Sequence, residues 1–318
     1  MKMKIIVCLL TLTMLTMALA PAMACSPTTS GGTSQSGYRE ITGTLSGADF
    51  VFRIPCNWNG KLIIGCPSYQ YPPNPNCQYQ YDALAALFIA KGFAYAATNY
   101  GASGWCVKQG LVTVHQLTEY LIDRYHVRSK IFLLGGSMGG LIALLLGDKY
   151  PMLYSGVLDI CGVKDSIGEY NYDQIWLTNT PADLRVILNI PSFVSDSDIQ
   201  ALQAFFSTVT ADSVNAMGGT PDQTPQTWQR FSPILHADIH IPVISVVGEA
   251  DPLVPLPFHY EYQTAVANAG QSNFYRLYVV PNGGHLDSIT MAEVPAHLSE
   301  LIAWSDSLQK CCDIQMIH

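Results

Sequence analysis

The 318-residue chain is poor in charge. Asp, Glu, Lys and Arg make up 13% of it, against about 25% in an ordinary soluble domain. Positive charge is the scarcer sign, with 16 Lys and Arg against 24 Asp and Glu and no basic run. That excludes a nucleic-acid binder, because Lys and Arg contacts to phosphate supply most of that affinity. Low charge beside 49% hydrophobic residues also excludes intrinsic disorder, which needs the opposite balance. No Cys-x-x-Cys is present, so no metal site is expected. No internal repeat is visible. What remains is a globular chain long enough for one large core, or one core with an elaborated lid.

The apolar excess begins at the N-terminus. Residues 1–24 read MKMKIIVCLLTLTMLTMALAPAMA. Lys2 and Lys4 form a positive n-region, residues 5–20 are uncharged, and Ala22-Met23-Ala24 fits a small-x-small cleavage site. The run is short for a membrane span and Pro21 follows it at once, so a cleaved signal peptide is expected and the protein is expected to be exported. Cys25 sits directly after the cut, ahead of a Ser/Thr/Gly-rich tract, and residues 25–37 are expected to be a flexible linker. This arrangement resembles a bacterial lipoprotein, in which Cys25 would carry lipid and tether the chain to a membrane. The alternative is ordinary secretion with Cys25 free for a disulfide. Eight of the nine cysteines survive processing. In an exported chain that even count suggests disulfides, and Cys66 and Cys77, which bracket a Pro/Asn/Tyr loop, are a plausible staple.

Beyond the linker, short apolar strands alternate with amphipathic helices. Strands are predicted at 39–45, 49–55, 61–65, 93–99, 130–135, 156–160, 242–248 and 274–280. Helices are predicted at 82–91, 112–125, 138–149 and 292–309. This pattern implies an α/β fold with a mainly parallel central sheet covered by helices on both faces. Residues 163–240 interrupt the alternation with helical patterns, such as 197–209, and Pro/Gly/Thr-rich loops, such as 218–225. A structureless loop of that length is improbable in a compact domain, so the segment is read as an inserted helical lid, with 38–162 and 241–318 forming the core.

Gly135-Gly136-Ser137-Met138-Gly139 matches Gly-x-Ser-x-Gly. It follows the predicted strand KIFLL and opens a predicted helix, which is the context that gives the motif meaning. A serine on so sharp a turn has strained backbone angles and close neighbours. Glycines let the chains pass, and the helix N-terminus turns free N–H groups toward developing negative charge. On these residues the chain resembles the α/β-hydrolase superfamily over nearly all of its mature length. The resemblance implies the α/β-hydrolase fold and a nucleophile, an acid and a histidine in that order. Gly248–Pro255, reading GEADPLVP, matches the acid loop and makes Asp251 the orienting carboxylate. Asn282-Gly283-Gly284-His285 follows the next strand and makes His285 the base for Ser137. Asp159, at the end of a strand, is an alternative acid, and Asp287 reads as a local residue.

The oxyanion hole should combine the N–H of Met138 with a donor from the loop Cys66-Pro67-Ser68-Tyr69. Pro67 has no N–H. Tyr69 is the first choice and Ser68 the second. Pro67-Ser68-Tyr69 resembles the Pro-Gly-Tyr loop of cutinase-like and polyester hydrolases, although the inserted segment departs from that lidless pattern. Asn57-Trp58-Asn59-Gly60-Lys61-Leu62 is similar to the start of tannase and feruloyl-esterase chains. Those carry cysteine where this chain has Gly136 and Gly284. Tyr69, Tyr71, Tyr100 and Trp105 lie near the catalytic loops and are candidates for an apolar substrate wall; packing of the loop and lid accounts for them equally. The expectation is an exported serine hydrolase acting on a small or polymeric carboxylic ester through an acyl-enzyme, with no cofactor. A peptidase of the prolyl-oligopeptidase type and a non-catalytic surface lipoprotein are the alternatives.

Overall fold

The computed structural model describes residues 33–35, 37–127 and 130–315. The expected leader, Cys25 and most of the linker lie outside the described residues.

Nine strands form one sheet in the order β1-β2-β3-β5-β4-β6-β7-β8-β9. β1 (Thr33–Gln35), β2 (Tyr38–Leu45) and β3 (Ala48–Pro55) make an antiparallel edge, and β3 runs antiparallel to β5 (Ala94–Thr98). From β5 onward every pair is parallel: β4 (Leu62–Cys66), β6 (Ile131–Gly136), β7 (Gly156–Ile160), β8 (Val243–Gly248) and β9 (Tyr275–Val280). β1 falls inside the stretch expected to be a flexible linker, where Thr33 pairs with Glu40; strand addition uses the backbone and so is open to a Ser/Thr/Gly tract. The β2–β3 turn holds both Ser46 and Gly47 at positive φ (52° and 84°), as a two-residue hairpin turn requires.

Every residue of β4, β5, β6, β7 and β8 is buried. That is why their sequences are continuous apolar runs rather than alternations: both faces are covered. One face carries α1 (Asp82–Ala90) and α9 (Ser288–Gln315), and packs Phe88, Leu158, Val246 and Leu298. The other carries α2 (Val107–Tyr125) and α3 (Met138–Lys149), and packs Phe52, Leu117, Leu133 and Leu141. α2 begins five residues before its predicted start. Lys108, Gln109 and Gly110 blur its apolar pattern, yet Gly110 is where α2 meets Ile142 of α3 closely enough that a Cβ would collide.

Between β7 and β8 the chain makes α4 (Ser166–Thr178), α5 (Pro181–Ile187), α6 (Asp196–Met217) and α7 (Pro225–Arg230). Capping boxes start α5 (Thr180 with Asp183) and α6 (Ser195 with Asp198), supplying partners for N–H groups that a helix leaves free. Gly218 ends α6 at φ 80°. These helices have a core of their own around Tyr172, Trp176, Leu184 and Phe206, with Trp176 stacked on Phe206 at 5.0 Å. α8 (Leu256–Asn268), between β8 and β9, is not predicted from the sequence, because Glu261, Gln263 and Thr264 dilute its buried Tyr262 and Val266.

Cys66, Cys77, Cys106 and Cys161 carry buried free thiols. The staple expected between Cys66 and Cys77 is therefore absent: Cys66 ends a central strand and is fully buried under α3, while Cys77 lies in a separate turn. Among the described residues no helix is long and apolar enough to cross a membrane.

Candidate active site

The parallel strands all end at one edge, and the predicted residues gather there. Ser137 is the link between β6 and α3, with φ 54° and ψ −124°, a conformation that an L-residue adopts only under constraint. The constraint comes from close neighbours. Any Cβ on Gly135 would strike the carbonyl of Gly139, and one on Gly139 would strike that of Cys66. A side chain at Gly136 would meet Leu286 at 2.8 Å and the Tyr81 hydroxyl at 2.9 Å. Ser137 N–H donates to Ile160 O at the end of β7 (2.9 Å).

Asp251 and His285 reach the same edge from loops after β8 and β9. Glycine again allows the approach: a Cβ on Gly248 would overlap the Gly283 carbonyl. Ala250 N–H donates to that carbonyl at 2.8 Å. Asp251 Oδ2 lies 2.8 Å from His285 Nδ1, and its Oδ1 accepts from the N–H groups of Leu253 (2.9 Å) and Val254 (3.0 Å). Both carboxylate oxygens are thus committed and the group is sealed, while the imidazole keeps 12% of its surface exposed. With Nδ1 on the carboxylate, Nε2 is the nitrogen left for other work. Among the described residues the Ser137 hydroxyl has no hydrogen-bond partner; such contacts tighten in many enzymes only when substrate is bound.

The thiol of Cys161, the residue after β7, lies within 4.8 Å of the Asp251 and His285 ligand atoms. Among the described residues this is the one His/Cys/acid cluster with such spacing. Burial raises the Cys161 thiol well above its ordinary pKa, so it is protonated where a metal would need a thiolate. Asp159 does not approach His285. It is fully buried and bound to Lys164 Nζ and to Ser245 Oγ (2.6 Å). Asp287 is local: it accepts from Gly284 N–H (2.9 Å) and Thr290 N–H (2.8 Å) and shapes the turn into α9.

The loop after β4 lies alongside the serine turn. Ser68 Oγ donates to Gly136 O (2.9 Å) and Tyr81 Oη accepts from Gly136 N–H (2.8 Å). Ser68 N–H is engaged with Gln80 Oε1 (2.7 Å), which removes the second oxyanion choice. The N–H groups of Met138 and Tyr69 have no partner among the described residues. The roles of Ser68, Gln80 and Tyr81 were invisible in the sequence, since ordinary polar residues before a helix carry no motif.

Tyr69, Tyr71 and Trp105 are brought together, and α6 joins them. Phe205 packs edge-on to Tyr69 (6.1 Å) and Tyr71 (5.8 Å), and Trp105 lies 6.4 Å from Tyr69. Tyr69 Oη donates to Asp212 Oδ2 of α6 at 2.8 Å; burial and this bond raise its pKa. Tyr100 stands apart. It is only 2% exposed, and its hydroxyl donates to Pro67 O (2.9 Å), so it supports the loop from below.

A parallel sheet with a strained serine turn, an acid loop and a histidine loop at one edge defines a class. A model of the alpha/beta hydrolase family matches residues 68–296, and the chain belongs to that family. No protein of curated function matches it in sequence. Among solved structures, an esterase of Pyrococcus furiosus is similar at 15% identity and TM-score 0.55, covering 84% of this chain and 92% of the other. A puromycin-hydrolyzing peptidase of Mycobacterium tuberculosis matches at 15% identity and TM-score 0.58, covering 85% and 40%. An acylaminoacyl peptidase of Pyrococcus horikoshii matches at 13% and 0.55, covering 83% and 41%. The chain spans about two fifths of the length of these peptidases. At such identities the likeness is one of fold.

Proposed function

We propose that the protein is an exported serine hydrolase that cleaves carboxylic esters through an acyl-enzyme. The observation that carries the proposal is the Asp251–His285 pair at 2.8 Å, on the sheet edge where Ser137 is held at φ 54°. In the proposed reaction Ser137 Oγ attacks the acyl carbon while His285 Nε2 takes its proton. Asp251 holds the imidazole tautomer and stabilises the imidazolium. The unpartnered N–H groups of Met138 and Tyr69 receive the oxyanion. His285 returns the proton to the leaving alcohol, and water, activated by the same base, releases the acid. Tyr69, Tyr71 and Trp105 supply an apolar wall suited to an aryl or acyl group, on a small ester or a polyester chain. The helices of 163–240 act as a lid. The leader and Cys25 would place the enzyme outside the cytoplasm, tethered if Cys25 is acylated.

A fluorophosphonate probe should label the wild type and not Ser137→Ala. Labelling that persists in the variant refutes the assignment. A second reading, peptide hydrolysis, is favoured by the peptidases among the structural neighbours. Matched 4-nitrophenyl esters and 4-nitroanilides separate the two.

A further inference from the structure

Glu169 is a carboxyl with nothing to hold it. It lies one turn into α4, on the first inserted helix, and is 8% exposed. Among the described residues neither of its oxygens has a hydrogen-bond partner. Oε1 is sealed from solvent and Oε2 is not, so the carboxyl has one buried face and one that meets solvent. A buried polar group left unpaired costs on the order of 1–3 kcal/mol, and such a group calls for an explanation in what it binds.

Its position narrows what that is. α4 starts a few residues after β7, whose end touches the Ser137 turn. Tyr172, three residues beyond Glu169, donates its hydroxyl to Pro252 O in the acid loop (3.1 Å), which fixes this face of α4 against the loop of Asp251. Asp173, one turn further on the same side, accepts from Thr210 Oγ1 of α6 (2.8 Å). The charged groups that act most strongly on Glu169 are Asp173, Asp251, Asp165 and Lys164. Three of them are acids. Lys164, the one cation, is occupied by Asp159 and by Gly162 O (2.8 Å). Burial and these acids push the Glu169 pKa well above the ordinary carboxylate range, so its charged form lacks the partner it needs. A neutral carbonyl could take one hydrogen bond from it, but would leave the negative surroundings unbalanced. A cation satisfies both.

We propose that Glu169 is a substrate-binding residue whose carboxylate takes a primary ammonium group, so that the site prefers substrates carrying a free amine. As a statement about substrate this rests on the hydrolase reading; as a statement about binding it does not. No covalent bond changes. As the ion pair forms, any proton the carboxyl carries passes to the buffer, so charge balances and binding the cation releases protons.

The test is titration calorimetry of the full wild-type protein with benzylammonium chloride and with benzyl alcohol, in two buffers of different ionisation enthalpy. The ammonium should bind at least about tenfold more tightly than the alcohol, with a buffer-dependent heat that reports proton release. Glu169→Gln, which keeps the shape and a donor, should lose both the preference and the proton release. Equal affinities, no benzylammonium binding, or a preference that survives Glu169→Gln would overturn the inference. If that variant does not melt cooperatively, Glu169→Asp decides instead. It should weaken benzylammonium binding and leave benzyl alcohol unchanged, and an unaltered ammonium affinity refutes the site. Fluorophosphonate labelling on the same wild-type sample keeps the readings apart. Labelling without ammonium preference sinks Glu169 alone, and loss of labelling sinks the hydrolase reading.

Discussion

Among the described residues, five non-glycine residues in the loops that follow the parallel strands stand at positive φ: Tyr100 after β5, Ser137 after β6, Cys161 after β7, and Asn282 and Leu286 after β9. Each costs on the order of 1–3 kcal/mol and persists only where its surroundings over-determine it. Three of the five are Ser137, the neighbour of the Asp251–His285 pair, and the residue after His285, so the strain is concentrated where side-chain placement matters. Asp251 shows how little freedom remains. Its Oδ1 is fixed by two backbone N–H groups, and only Oδ2 addresses the imidazole. Asp251→Asn should therefore fold with nearly the wild-type melting temperature, because an amide oxygen can keep the backbone bonds. It should lower kcat on a 4-nitrophenyl ester by about 10⁴-fold, because an amide N–H cannot support the required tautomer. Equal loss of kcat and of cooperative melting would make Asp251 a structural residue instead.

At the scale of elements, the turns and the buried strands were the legible part. β6, α3 and β7 follow the predicted spans closely, since continuous apolar runs and the glycines around Ser137 admit few alternatives. Motif order likewise pointed to Asp251 and His285 before their 2.8 Å contact was visible. Elements stabilised by tertiary contact were not legible: α8 and the first turn of α2 are polar locally and helical because of what they pack against. Nor was Lys164. A lysine after an apolar strand suggests surface, yet it is fully buried, paired with Asp159 between β7 and β8, and 5.8 Å from the Tyr262 ring. Lys164→Met should destabilise the fold by about 3–5 kcal/mol, because it strands a buried carboxylate. Asp159→Asn combined with Lys164→Met should recover much of that loss. Urea midpoints of the three proteins provide the check.

Across the whole molecule, the acids of the inserted helices oppose stability as pH rises. Burial lifts the Asp173 pKa from 3.8 to about 7. Below about pH 4 both folded and unfolded chains hold this proton. Between 4 and 7 the folded chain keeps it while the unfolded chain has released it, so stability falls with rising pH and levels off above 7. Asp173→Asn, which can still accept from Thr210, should flatten that slope. Relative to wild type it should gain up to a few kcal/mol between pH 4 and pH 8, read from urea midpoints at the two pH values. The four thiols found free among the described residues extend to dynamics. Cys66 and Cys106 belong to the core on one side of the sheet and Cys161 to the core on the other. Burial raises Cys106 to about 12 and lifts Cys66 and Cys161 as well, so thiolate is scarce until a region opens. Their alkylation rates are thus separate clocks for the two layers, and would tell whether the layers part together or one at a time.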